Sequence, residues 1–268
     1  MTSPQLTDTG ATGATQALLE RARSYQATVL TLLRQVTQKS CPTKTVHAIR
    51  THCRRLQALL ELSGEEERAA VMAKSVRRLS KLRALQVFRQ YLEKIDAPRA
   101  DVVQIDARIE RRHRRLVQVD AYQKIAQALQ QQGLPQEHRS EAWLRQRAKD
   151  LRHTQADALQ VLFVHIAEKP RRKRLHALRL LLKTIRYQAE ALPDQSAETQ
   201  EMVTKLRQAQ TSLGRYEELA DFARWGKRWE LKRSLRIKRD WKRARTKARA
   251  AATELTWLVD ILRGGAAD

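Results

Sequence analysis

The chain is 268 residues long, enough for one or two domains with a real core. Its 53 Lys and Arg stand against 29 Asp and Glu, a net charge of +24 shared almost evenly by the two halves of the chain. At 42% hydrophobic it is too apolar for a disordered polycation, and its longest nearly apolar run, Val161 to Ala167, is far too short to span a membrane.

Residues 1–14 are mostly small and polar, with no apolar stretch of the signal-peptide kind, and read as a disordered tail. Beyond them Pro42, Gly64, Pro98, Gly133 with Pro135, Pro170 and Pro193 divide the chain into helix-length segments. These segments are rich in Ala, Leu, Gln, Glu and Arg, all good helix formers. The spacing predicts helices over 15–39, 43–62, 65–95, 99–132, 137–168, 171–192, 196–225 and 227–263, the last boundary resting on Gly226. Val102, Ile105, Ile109 and Leu116 show the helical step, as do Leu151, Leu159, Leu162 and Ile166. Two-residue alternation is missing, so the fold class is all-α. Cys41 and Cys53 are too few for a disulfide scaffold and suit a reducing compartment, so a cytoplasmic protein is expected. The whole-body charge points to an anionic partner: nucleic acid, an acidic membrane or another polyanion.

The second and sixth expected helices repeat one pattern. Lys44, His47, Arg50, Arg54 and Glu61 recur as Lys173, His176, Arg179, Lys183 and Glu190, at a constant offset of 129 residues. A weaker echo, at offset 134, links the stretch 79–85 with 213–219. Two four-helix halves, 15–134 and 135–265, are the simplest account. At about 100° per residue, Lys44, Arg50, Arg54 and Glu61 fall within about 60° of His47. Ile49, Cys53, Leu56 and Leu60 fall on the opposite face. The sixth helix likewise sets Leu178, Leu182, Ile185 and Ala189 against its cations. Like charges on one stripe repel by a few tenths of a kcal/mol per close pair; a bound anion offsets that. The plain alternative is a solvated helix face, against which stands the recurrence of the stripe with a histidine at its centre. The glutamates have a structural reading, anchoring Arg54 or Lys183.

The two His-x2-Arg-x3-[Arg/Lys] helices resemble those of the CHAD family, the conserved histidine α-helical domain. VHAIRTHCRRLQALL, from Val46 to Leu60, looks like its first signature helix, and Leu175 to Leu192, with Arg186, Tyr187 and Glu190, like its second. The resemblance spans about Ala17 to Leu262. It implies two four-helix bundles related by a pseudo-twofold axis, with a basic groove or channel between them that binds inorganic polyphosphate. Carried over residue by residue, the ligand set is Lys44, His47, Arg50, Arg54, Arg55, Lys173, His176, Arg179, Lys183 and Arg186. The family's third helices carry a leucine-glycine and arginine-aspartate pattern. Here Ser80 replaces the glycine and Ala84 the aspartate in the first half; Gly214 is kept and Glu218 replaces the aspartate in the second. Loss of the acid at Ala84 either leaves Arg83 to the ligand or loosens a structural pair.

Further contacts are expected from Arg77, Arg78, Lys81, Arg172 and Tyr187, and from Arg111, Arg112 and Arg115, which flank His113 and either line the groove or are solvated. For the signature histidines the plain alternative is a helix-interface hydrogen bond. Thirteen Lys or Arg lie between Arg224 and Arg249, together with Trp225, Trp229 and Trp241. Tryptophan among cations keeps an RNA- or DNA-binding reading open, although a shared core face suits Trp225 and Trp229 better. A third reading is an accessory or catalytic protein of polyphosphate or triphosphate metabolism. No phosphate loop, zinc spacing or metal-binding carboxylate cluster is present, so no catalytic residue, metal or cofactor is expected. The sequence reads as a non-enzymatic polyphosphate binder, with nucleic acid as a non-specific partner and polyphosphate granules as its place in the cytoplasm.

Overall fold

The computed structural model describes residues 11–37, 39–136, 139–192 and 196–264. It is 84% helical, with no strand among the described residues, so the all-α expectation holds. The helices are α1 (Ala11–Arg34), α2 (Thr43–Leu62), α3 (Glu66–Arg78), α4 (Ser80–Lys94), α5 (Arg99–Gln118), α6 (Ala121–Gln132), α7 (Glu141–Glu168), α8 (Arg172–Ala191), α9 (Ala197–Arg228), α10 (Ser234–Thr253) and α11 (Leu258–Arg263). Of the tail expected over 1–14, residues 1–10 lie outside the described residues, and α1 is already under way at Ala11. The Pro193 boundary also lies outside them.

Three expected helices are interrupted where proline and glycine give no warning, 227–263 among them between Thr253 and Leu258. Over 65–95 the chain turns at Leu79, which closes α3 and opens α4 with its side chain fully buried. Over 99–132 it breaks at Asp120, in the left-handed region at φ +51°. Aspartate tolerates that conformation because its short polar side chain can satisfy nearby backbone. Gly226, by contrast, ends nothing: α9 runs through it to Arg228. A Cβ at Gly226 would stand 3.1 Å from the Ile237 side chain, so this glycine admits the close approach of α10. The turn falls instead at Glu230, at φ +53°.

Two hydrophobic cores hold the helices, and both draw on segments from each half of the chain. One gathers α1, α2, α3 and α6 with Leu82 of α4, Leu116 of α5 and Leu144 and Ala148 of α7. The other gathers α8 to α11 with Phe88, Tyr91 and Leu92 of α4, Ile105 of α5 and Ala156, Leu159 and Ile166 of α7. Helices α4, α5 and α7 therefore each leave one core and enter the other. Phe88 stacks on Phe222 of α9 at 4.5 Å between ring centroids. Trp225 and Trp229 stack on each other at 5.3 Å and pack against the same core, as the shared-face reading expects. Because Phe88 is fully buried and joins α4 to α9, Phe88→Ala is expected to cost about 3–5 kcal/mol of stability in denaturant unfolding. An unchanged midpoint would show that the aromatic stack does not tie the two segments together.

Candidate anion-binding site

Helices α2 and α8 pack directly on each other. Their apolar stripes, Ile49, Cys53, Leu56 and Leu60 on one and Leu178, Leu182, Ile185 and Ala189 on the other, are buried as the helical spacing predicts. Anchoring both stripes brings the cationic faces together. Arg50 and Arg54 of α2 feel the field of Arg179 on α8, and Lys183 of α8 feels Arg50, Arg54, Arg179 and Arg186. Arg83 of α4 presses on both Arg50 and His47.

The guanidiniums are seated by small residues. Arg50 Nη1 donates to the Val76 carbonyl and to Ser80 Oγ, each at 2.6 Å. Arg179 lies over Gly214, where a Cβ would stand 3.4 Å from its Nε, and that Nε is buried without a partner. Ser80 and Gly214 are the positions aligned by the 134-residue echo, so aligned arginines meet aligned small residues.

Neutralisation is uneven. Glu190 takes Arg55 at 3.9 Å, Arg186 at 3.6 Å and Arg207 at 2.8 Å. Glu217 takes Arg172 at 3.1 Å and His176 Nδ1 at 3.3 Å, while Asp221 holds Arg172 at 2.8 Å and Arg224 at 3.0 Å. Among the described residues no carboxylate comes within 4.0 Å of Arg50, Arg54, Arg83, Arg179 or Lys183. The acid nearest in field is Glu218, itself 4.0 Å from Arg215.

The titration of the cluster shows the cost. Burial first, then Arg179, Arg54, Arg50 and Arg186, push Lys183 down to about 6. Arg50 is pushed down to about 10 by burial and then by Arg54, Arg83 and Arg179. Burial also lowers Arg54 and Arg83. His47 is lowered by burial and by Arg83, Arg50 and Lys183. Glu218 is raised by burial against the pull of Arg215, Arg179, Arg83 and Lys183. At neutral pH the free chain therefore holds Lys183 largely as the amine.

Other expected residues lie around this centre. Lys44, His47, Lys173 and His176 are exposed along the same two helices. Arg55 lies over the Tyr25 ring and Arg186 over Tyr187, 5.5 and 4.5 Å from their centroids. Arg172 and His176 are drawn to α9 by Glu217. Arg77 and Lys81 are exposed, and the Arg78 carbonyl accepts from Arg112 at 3.3 Å. Arg111 lies by Arg108, beside Arg228, and Arg115 is exposed. His113 between them is buried, 2.9 Å from both the Tyr122 hydroxyl and the Thr37 carbonyl, a core contact. The glutamates do not anchor Arg54 or Lys183. Seven residues is two helical turns, roughly 10 Å, beyond a side-chain pair. Glu61 instead accepts from Gln57 and from Gln188 of α8, at 2.8 and 2.9 Å. Sequence reasoning missed Glu217 and Asp221; their four-residue step, on one face of α9, was the available signal.

The model of the CHAD domain family matches residues 13–225. The chain belongs to the CHAD family. No curated protein and no solved structure matches it. Both signature helices of the CHAD domain fall inside the matched span, and α10 and α11 lie beyond it.

A lysine lowered from 10.5 to about 6 leaves the unfolded state holding the extra proton between those values, so its stability penalty grows as pH falls through that window. Lys183→Met is therefore expected to raise the thermal midpoint of the free CHAD domain more at pH 6 than at pH 9. A gain independent of pH would show that Lys183 titrates normally.

Proposed function

We propose that this CHAD domain binds inorganic polyphosphate along the line where α2 meets α8, as a binding module and not a catalyst. The observation that carries the reading is the convergence of four guanidiniums and the Lys183 side chain, from α2, α4 and α8, with no carboxylate in ion-pair reach among the described residues. Half-buried like charges without a counter-ion cost stability, and an anion bound there removes the cost. The family is associated with polyphosphate- and triphosphate-related proteins.

Polyphosphate carries about one charge per phosphate and has no bases, so it calls for forked guanidiniums and ammonium points without stacking surfaces. Arg50, Arg54, Arg179 and Lys183 supply those donors, and Arg83 and His47 extend them. Trp225, Trp229 and Trp241 are packed against the core, which leaves bases little to stack on. Among the described residues no group of three or more His, Cys, Asp and Glu is placed to hold a metal. In this reading the chain resides in the cytoplasm with polyphosphate granules; no helix among the described residues is long and apolar enough to cross a membrane.

Labelled polyphosphate, challenged with RNA and duplex DNA at physiological salt, tests the reading, because exposed charge attraction is then screened beyond about 8 Å. Polyphosphate is expected to hold against an excess of both; easy displacement by RNA would overturn it. Arg50→Ala with Arg179→Ala removes two charged contacts and should weaken polyphosphate about a hundredfold. Lys242→Ala with Arg243→Ala, on the exposed face of α10, should cost about threefold or less. Equal losses would mean diffuse attraction and no site.

An anion beside Lys183 raises its lowered pKa, so the complex holds a proton that the free chain lacks above about pH 6. Binding is expected to tighten from pH 8 to pH 6. Calorimetry in buffers of different ionisation enthalpy should show uptake of about one proton per chain near pH 7.5, lost in Lys183→Met. No uptake would mean that Lys183 is not at the anion.

A further inference from the structure

The family match stops at residue 225, yet the most basic helix of the chain is α10. Its inner face is small and apolar: Ile237, Ala244, Ala248 and Ala252 are buried and let it lie close along α9. Asp240, its only acid, accepts from the Tyr91 hydroxyl at 2.6 Å and is thereby spent on the protein. Lys238, Lys242, Arg245 and Arg249, at steps of four, three and four, form one ridge. Arg236, Arg239, Arg243 and Lys247, at steps of three, four and four, form another. All but Arg245 are exposed. Arg236 also donates to the Ile95 carbonyl at 3.1 Å, and Arg245 lies over the Trp241 ring. No carboxylate lies within 4.0 Å of any of the eight among the described residues.

The spacing makes a particular shape. At about 100° per residue the two ridges stand roughly 135° apart on the cylinder, each running about 16 Å along the axis. Leu235, Thr246 and Ala250 lie on the crest between them, with Arg239 leaning in from the second ridge, and Leu235 is 82% exposed. Two cation rows astride a mostly uncharged crest match two phosphate rows astride a groove. The major groove of B-form DNA is about 12 Å wide and admits a helix, whereas that of an RNA duplex is too deep and narrow. A linear polyphosphate offers only one row of charge. A single strand calls for aromatic faces to stack on, and Trp241 is packed against the core.

We propose that the outward face of α10 is a second polyanion surface, separate from the α2–α8 cluster, which takes the backbone of duplex DNA without regard to sequence. It does not rest on the polyphosphate reading, since it uses other residues and another ligand.

The test uses the full chain and a labelled 30-base-pair duplex of mixed sequence (about 100 Å long, so that it outreaches the helix at both ends), titrated across a salt series. The comparison is with Lys238→Gln, Lys242→Gln, Arg243→Gln and Lys247→Gln combined, two changes on each ridge, its fold checked by circular dichroism. Each phosphate contact contributes about 0.9 to the slope of log affinity against log salt, so the variant's slope is expected to fall by about three to four. The same variant should keep its polyphosphate affinity, and Arg50→Ala with Arg179→Ala should keep the duplex. Failure of the unaltered chain to bind duplex, or an unchanged slope in the variant, would overturn the proposal. Equal loss of duplex and polyphosphate in the α10 variant would also overturn it, by making the surface one diffuse field. If polyphosphate fails to bind while the duplex behaves as expected, only the function proposed above falls.

Discussion

Burying like charges where two helices cross is the constraint on which the rest of this molecule depends. Arg50, Arg54, Arg179 and Lys183 repel one another in a partly dry setting, and no carboxylate within 4.0 Å repays them among the described residues. Repayment comes from the other side of each helix. Every fully buried leucine contributes about 1.5–3 kcal/mol, and α2 and α8 each sink a stripe of such residues into a separate core. Apolar burial therefore wins over repulsion, and the cations are held in place by forces that act elsewhere. Lys183 adds its own relief by giving up its proton.

The acids are distributed to the same end. Glu190 and Glu217 quiet the rim of the cluster, holding Arg55, Arg186 and Arg207 on one side and Arg172 and His176 on the other. Glu61 is spent on the glutamine pair that links α2 to α8. The centre is left to Glu218, whose carboxyl burial already weakens as an acid. A polyanion arriving there would meet cations that have no carboxylate within 4.0 Å among the described residues, so the ion pairs that it gained would be new ones.

The central cluster and α10 carry similar formal charge but differ in physics. In the cluster the cations are desolvated and coupled to protonation, so a bound anion would be felt through stability and pH. On α10 most are exposed, so a bound anion would be felt through salt. The crossing of α4, α5 and α7 between the two cores ties the cluster to global packing, while α10 leans on α9 by alanines and one isoleucine.

Much of this was legible in the sequence. The all-α class, the buried stripes of α2 and α8 and the packing of Trp225 and Trp229 all follow from three- and four-residue spacing, which is a local property of a helix. The breaks at Leu79 and Asp120 and the continuity of α9 through Gly226 were not legible. They depend on what packs beside the residue: a buried Leu79 side chain, a tolerated left-handed aspartate, a neighbouring Ile237. Likewise the sequence marked Arg54 and Lys183 as corresponding cations on the stripes of two helices but suggested the wrong partners for them. Which carboxylate reaches which cation is decided between helices distant in the chain, as Glu217 with Arg172 and Gln188 with Glu61 show. Periodicity determined what each helix buries and what it presents. Only the tertiary structure decided that the presented faces meet unneutralised, because electrostatic pairing depends on distance in space and not on distance along the chain.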